Sequence, residues 1–333
     1  MTPAPTATPT PTAGFALRQA NFGDTMEFYA PGLKRWQTAE WKPTNPRRFL
    51  PVSVTGSACA LSCDHCQAKV LEGMISVKAG EDLFDLAVSL KRQGSQGLLV
   101  SGGSTRAGGV PLLGHLKHVP RIKDELGMTV IAHSGVVSPQ LAEGLADAGV
   151  DGVMLDIIGA DETIHDVYHL DLTVADFERS LALLAERRLR IIPHIVCGLH
   201  YGRFLGEQRA LEMISRYPVS TLIIVVLVPL VGTPMEHLPP PPVEDLVDFF
   251  ATARAAMPTT KVNLGCARPL GAMKRELDEA AIDHGLNGIA YPAEGAIAYA
   301  TSRGLEPKLY EYCCSLTWTG DEGEAWSEVK VSA

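Results

Sequence analysis

Short runs rich in Val, Ile and Leu recur between residues 49 and 291, each followed by a stretch whose apolar positions fall at helical spacing. That pattern predicts strands alternating with helices. Eight strands are expected: Phe49–Thr55, Gly97–Val100, Met128–Ala132, Gly152–Leu155, Arg190–Val196, Thr221–Val228, Lys261–Leu264 and Gly288–Tyr291. The intervening helices are punctuated where helices should be. Ser138 stands as an N-cap before Pro139, with Gly149 just past the end, and Thr173 with Asp176 forms a capping box. A less regular helix is expected near Leu112 to Leu126, interrupted by Pro120. The apolar run Leu222 to Val231 is too short to cross a bilayer and suits a strand buried on both faces.

Eight alternations are the count of an α/β fold of the closed (β/α)8, TIM-type class. Each expected strand ends in a Gly, Cys, His, Asp or Pro motif, the end at which such barrels carry their catalytic groups. Turn chemistry explains any one Gly or Pro. It explains the whole set poorly, with cysteines following the first, fifth and seventh strands.

Outside the alternation, residues 1–14 form an uncharged Thr/Pro/Ala stretch, expected to be a disordered tail. Residues 15–45 carry scattered aromatics (Phe22, Phe28, Tyr29, Trp36, Trp41) without periodicity and are expected as a cover on a barrel spanning residues 46–305. Residues 306–333 are left as a C-terminal tail. The 333 residues suffice for one such barrel. A net charge of -9 argues against tracking nucleic-acid phosphates. The opening residues have no apolar core of a secretory signal, so a reducing cytoplasm is expected.

Chemistry concentrates at Cys59-Ala60-Leu61-Ser62-Cys63-Asp64-His65-Cys66, three thiols spaced C-x3-C-x2-C. Three thiolates can hold three irons of a four-iron cluster and leave the fourth open to a second molecule. Structural zinc would want a fourth ligand, and His65, lying between two of the thiols, would strain to reach the same metal. A disulfide framework is disfavoured by the odd count of seven cysteines.

The spacing resembles the signature of the radical S-adenosylmethionine (SAM) enzymes, and from about Phe49 to Ser315 the chain resembles their biotin synthase-like branch. The resemblance implies that Cys59, Cys63 and Cys66 ligate a 4Fe-4S cluster, whose open iron chelates SAM and whose electron splits it to a 5′-deoxyadenosyl radical. It further implies that Ser101, Gly102 and Gly103 contact the SAM amino group, although Ser104 stands where many relatives carry Glu. Asp156 corresponds to a ribose-binding position, Ile195 and Gly198 to the strand lining the adenine, and Pro229 to Pro234 to a loop closing the site. A carboxylate at a strand end can in any case accept from a hydroxyl pair. His133 is a candidate polar wall residue.

Four cysteines remain. Cys197 reads as a small buried hydrophobe. The neighbours Cys313 and Cys314 are badly placed to bridge each other; with the tail folded over the barrel top they would join Cys266 as ligands of an auxiliary iron–sulfur cluster, completed or flanked by Ser315 or Arg268. The stretches Gly265-Cys266-Ala267-Arg268-Pro269 and Tyr312-Cys313-Cys314-Ser315, with Pro193-His194-Ile195-Val196 and the following Gly198 to Gly202, resemble a subunit of the split, two-protein lipoyl synthase. That resemblance implies a sulfurtransferase acting on an octanoyl chain held by a lysine of a lipoyl-domain or H-protein-like carrier. A second lipoyl synthase subunit and a ferredoxin or flavodoxin reductant are its implied partners. The alternatives are another biotin synthase-like activity, of the biotin synthase or methylornithine synthase type, and a non-catalytic metal-binding barrel.

Overall fold

A computed structural model describes residues 11–318 apart from residue 79. Its strands are β1 (Thr25–Tyr29), β2 (Phe49–Ser53), β3 (Ile75–Ser76), β4 (Gly97–Ser101), β5 (Thr129–His133), β6 (Gly152–Asp156), β7 (Ile191–Cys197), β8 (Thr221–Val226), β9 (Lys261–Leu264), β10 (Gly288–Ala290) and β11 (Glu306–Tyr310). They form one curled parallel sheet in the order β11-β1-β10-β9-β8-β7-β6-β5-β4-β2-β3. The eight expected strands are β2 and β4 to β10, consecutive around the sheet, with helices between them, so the α/β barrel-type fold stands. No helix is long and apolar enough to cross a membrane among the described residues.

Two features depart from a closed eight-stranded barrel. Strands β1 and β11 extend the sheet beyond β10, and among the described residues no ladder joins β11 to β3. The seam is bridged by loops instead. Gly32 N donates to Phe49 O at 3.0 Å, and the buried Glu311 carboxylate accepts from Thr44 and from Asn45 N, with Arg48 Nε 3.4 Å away. The segment expected as a cover therefore contributes a strand. Met26, Phe28 and Tyr29 are all buried, so β1 shows none of the alternation that marks a half-exposed strand. In β11 a proline and two charges hide the pattern; Pro307 is tolerated because this strand lies at an edge.

The first ten residues of the expected tail lie outside the described residues, but its last two belong to a helix, Ala13–Phe22, capped by Thr12, whose Oγ1 accepts from Phe15 N at 3.1 Å. Pro120 opens the helix Val119–Leu126 rather than interrupting one; a separate short helix, Leu113–Leu116, precedes it. Ser138 and the Thr173–Asp176 box cap their helices as the sequence predicts.

Of the expected C-terminal tail, residues 319–333 lie outside the described residues, and the described part does not fold over the barrel top. Residues 311–318 run down the concave face of the sheet, where Asn263 donates to Cys314 O (2.8 Å), Lys261 to Thr317 O (2.9 Å), and Arg190 lies over the Trp318 ring. Asn263 and Lys261 alternate along β9, so they share one face, and that face is filled by the tail. The interior needs such filling because an open, curled sheet leaves its concave side short of apolar contacts.

Candidate active site

Strand β2 delivers the cysteine loop. Beyond Ser53 the chain is tied to the loop after β4: Val54 N donates to Ser101 O, Gly103 N to Thr55 Oγ1 and Ala60 N to Ser104 O, at 2.8, 2.7 and 2.9 Å. Cys59, Cys63 and Cys66 consequently line one cavity of about 350 Å3 together with Ser101, Gly102, Gly103, His133 and Asp156. Chain segments far apart in sequence meet there because all the strands are parallel and end on the same side.

The donor set fits a cluster bound by three thiols. Among the residues bordering the cavity, the cysteines are these three, and outside their own group Cys59 and Cys63 find only the distant carbonyls of Ser104 (3.9 Å) and Tyr168 (4.0 Å). A hydrogen bond from Cys63 holds the Cys66 thiol down at about 4, with His65 adding to the effect, while the same bond pushes Cys63 up. The pair thus keeps one thiolate ready to ligate. The expectation that His65 would strain to reach a shared metal is corrected: a ring nitrogen of His65 and the sulfurs of Cys63 and Cys66 all lie within 4.8 Å of one another. The loop places His65 beside the thiols and against the Tyr168 ring, 5.1 Å between centroids.

Asp64, in the same loop, acts as its clamp. Its backbone N donates to Val167 O at 2.9 Å; its carboxylate accepts from Tyr201 (2.7 Å) and pairs with His169 (2.9 Å). Tyr201 adopts a left-handed φ of 52°, unusual for an aromatic residue.

Gly103 is required by close approach. A Cβ there would sit 2.1 Å from Ala58 O and 2.6 Å from Cys59 Cα, whereas at Gly102 the nearest atom is Thr55 Oγ1 at 3.0 Å. Gly103→Ala is expected to push the cysteine loop outward at a cost of about 2 kcal/mol. Iron bound per chain after anaerobic reconstitution should fall sharply in Gly103→Ala and only mildly in Gly102→Ala; equal retention would show that the loop adjusts freely.

Asp156 ends β6 beside His194 of β7, its register partner, and His133 of β5. Burial works against its charge, but hydrogen bonding and charge from His133 outweigh it, with His194 and His65 adding, and the carboxyl titrates at about 2. About 33% of the side chain stays open to the cavity. An ionised acceptor at a strand end is thereby presented to whatever hydroxyls enter.

His194 enters the sequence reading only within the Pro193-His194-Ile195-Val196 stretch and carries no site role there, because it lies inside its strand rather than at the end. Burial lowers its pKa to about 4 from an ordinary 6.5, opposed by Asp156, and Nδ1–H donates to Ile192 O at 3.1 Å. Between those two values the unfolded chain binds the proton and the folded protein does not, so stability falls as pH drops through that window. Between pH 7 and 5 the loss from this residue is about 2 kcal/mol. Urea midpoints at the two pH values should differ accordingly, and His194→Asn, which keeps the donor to Ile192, should flatten the difference.

Two expected adenine-lining residues lie apart from this cavity. Ile195 borders a separate cavity of only about 10 Å3 with Ile157 and Glu207, and Gly198, at φ 76°, turns the chain where a Cβ would meet Pro241 Cγ at 2.1 Å. Cys197 is fully buried, as expected of a small hydrophobe, and burial raises its thiol.

The other three cysteines converge inside the barrel. The Cys314 thiol is hydrogen-bonded to those of Cys266 and Cys313, and the latter is held down at about 7 by Cys314 first and then by Ser315. They do not border the 350 Å3 cavity, but His133, which does, acts electrostatically on Cys313. Arg268 is ruled out as a ligand, because its five N–H groups are spent on Asp278, Gly265 O, Ala290 O and Tyr291 O. Ser315 is fully buried, and its hydroxyl turns to the Cys313 thiol. A hydroxyl beside three thiols is a donor set suited to a metal–sulfur group.

Known proteins share both the sequence and the fold. The biotin synthase of Synechococcus sp. (strain JA-3-3Ab) is 27% identical over 239 residues, 65% of this chain and 71% of its own. That of Halorhodospira halophila is 28% identical over 255 residues, 72% and 73% of the two chains. Methylornithine synthase (PylB) superposes with a TM-score of 0.59 over 88% of this chain and 87% of its own, at 11% identity. The FeFe-hydrogenase maturase HydG from Carboxydothermus hydrogenoformans does so with 0.60 over 92% and 73%, at 14%. At those identities the two structures speak for the fold alone. Residues 53–216, which run from the end of β2 through the cysteine loop and past Asp156, match the sequence pattern of the radical SAM superfamily. A match centred on the loop that brings three thiols to one cavity makes this chain a member of the radical SAM superfamily, which implies a 4Fe-4S cluster and SAM as its cofactors.

Proposed function

We propose that this enzyme is a sulfurtransferase of lipoyl synthesis, inserting sulfur from an auxiliary iron–sulfur cluster into an octanoyl chain on a carrier-protein lysine and working beside a second lipoyl synthase subunit. The observation that carries the reading is the meeting of Cys266, Cys313 and Cys314 inside the barrel, with the Ser315 hydroxyl against the Cys313 thiol. When bound, the first cluster supplies the electron that splits SAM, and the auxiliary cluster supplies the sulfur. The protein's own groups do the rest. Asp156 is held ionised and would accept from the SAM ribose, Gly102 and Gly103 would let the cofactor approach the backbone, and Cys59, Cys63 and Cys66 would hold the first cluster. Leu33, Leu61, Val70, Leu71, Met74 and Val110 give the cavity an aliphatic wall suited to an acyl chain.

A second reading keeps the radical and changes the product, as in the biotin synthase type; it is favoured by the identity of 27–28% to proteins of that name. The test is mass analysis of an octanoyl-lysyl peptide incubated anaerobically with reconstituted protein, SAM and reductant. Gain of one sulfur atom is expected. An unchanged peptide alongside sulfur gain by dethiobiotin would overturn the lipoyl reading in favour of the second.

A further inference from the structure

Among the described residues the exposed large hydrophobics are Leu33, Val70, Leu113, Leu205, Val231 and Leu270. Each lies in the chain segment that follows the C-terminal end of a strand, after β1, β2, β4, β7, β8 and β9 respectively: Leu33 in the connection from β1 to β2, Val70 in the 3-10 turn Lys69–Leu71, Leu113 at the first residue of a helix and the others in loops. The opposite end of the barrel carries none of them. In a parallel sheet all these segments leave the same end, so among the described residues the exposed large hydrophobics gather toward the end at which the 350 Å3 cavity opens. Solubility alone gives no reason for such a one-sided distribution.

Two of the six border the cavity, and two more stand on loops at the same end of the sheet. Leu33 and Val70 border it directly. Val231 adjoins Gly232, where a Cβ would lie 3.2 Å from Lys69 Nζ, next to Val70. Leu270 belongs to the loop after β9, between the loops carrying Val231 and Leu33 in the order of strands. Val231 and Leu270 are 76% and 71% exposed, far beyond what a side chain serving the barrel's own core would show.

The charge beside these residues is opposite in sign to that of the chain. Lys34, Arg35 and Lys69 stand next to Leu33 and Val70 in a protein of net charge -9. Two carboxylates of the neighbouring mouth loops are engaged by the protein itself: Asp64 by Tyr201 and His169, Glu236 by Gly232 N. Glu72 and Glu294 are exposed acids of these loops. A basic, apolar-centred rim around a deep cavity on an otherwise acidic protein complements an acidic domain that presents an apolar arm, and steers it to the opening.

We infer that this rim is the docking face for the carrier: a small acidic protein domain seats on Leu33, Val70, Val231 and Leu270, is held by Arg35 and Lys69, and passes its acyl-lysine arm into the cavity. The inference rests on the proposed lipoyl chemistry, and the experiment separates the two. The probes are a purified octanoyl-lipoyl domain of net negative charge and a short octanoyl-lysyl peptide, which has no domain to dock. Dissociation constants for the domain are measured by calorimetry against wild type, Arg35→Glu/Lys69→Glu and Val231→Ser/Leu270→Ser, with peptide turnover followed in parallel. Each variant is expected to bind the domain about tenfold or more weakly. Added salt should weaken the wild type but hardly the charge-reversed variant. Peptide turnover and 5′-deoxyadenosine release should stay at wild-type levels in Arg35→Glu/Lys69→Glu. No binding by wild type, or unchanged binding by the variants, overturns the docking face. Peptide turnover by wild type then shows whether the chemistry stands without it. A wild-type dimer in solution that Val231→Ser/Leu270→Ser dissociates would also overturn it, by giving the face to a second copy of this chain.

Discussion

Cys59→Ala is expected to abolish reductive cleavage of SAM, lowering 5′-deoxyadenosine release by about a thousandfold or more, while leaving the fold intact. The reason is geometric. Cys59 is the least buried of the three thiols, and its Sγ touches only Ser104 O at 3.9 Å, so its removal opens little space and strands no strong hydrogen bond. Stability should change by less than about 1 kcal/mol. Cys63 and Cys66 remain as a buried pair sharing one proton, a set too small to keep three irons in place. With the proposed auxiliary cluster, iron per chain should drop from about eight to about four, the remainder held by Cys266, Cys313 and Cys314. Because a ring nitrogen of His65 lies within 4.8 Å of both remaining sulfurs, Cys63, His65 and Cys66 could take zinc instead; metal analysis of the wild type distinguishes the cases. A colourless, zinc-loaded wild type, or SAM cleavage that survives in Cys59→Ala, would remove the three-thiol cluster from the account.

What the sequence revealed and what it concealed divide along one physical line. Strands buried on both faces and bounded by helices, such as β8 in Leu222 to Val231, announce themselves as apolar runs, and the eight that build the barrel were legible for that reason. Strands β1 and β11 were not, because they lie outside the alternation, one short and buried throughout, the other interrupted by Pro307 and charged at Glu306 and Lys308. The helix Asp161–Tyr168 was hidden by its brevity, though its carboxylates at Asp161 and Glu162 are where a helix start favours them. At the site, the rule that function sits at strand ends found His133 and Asp156 and passed over His194 inside β7, whose role comes from cross-strand register, which the sequence does not disclose. The course of the tail was likewise invisible. It is decided by three polar contacts from β8 and β9, Thr221, Lys261 and Asn263, which draw residues 314 to 317 into the barrel.

Cys314→Ala is the complementary experiment, and it is expected to separate the two halves of the proposed reaction. Its thiol joins Cys266 to Cys313, so removing it breaks the set at its centre, and Cys313→Ala should behave alike. The backbone is spared: Asn263 binds the Cys314 carbonyl, which alanine retains, and Thr317 and Trp318 keep their own anchors on Lys261 and Arg190. Loss of one buried sulfur costs about 1 kcal/mol, small enough to leave the tail inside the barrel. None of the three auxiliary thiols borders the cavity that holds Cys59, Cys63, Cys66 and Asp156. Release of 5′-deoxyadenosine should therefore stay within about twofold of wild type, whereas sulfur transfer to the octanoyl-lysyl peptide stops and iron falls from about eight to about four per chain. Ser315→Ala removes an oxygen whose own partner is not a described nitrogen or oxygen, so its effect on folding is small and its effect on auxiliary iron measures whether that oxygen is a ligand. Parallel loss of SAM cleavage and sulfur transfer in Cys314→Ala, with four irons already in the wild type, would make the tail thiols packing residues. Uncoupled radical formation would instead locate the sulfur donor in the barrel's interior.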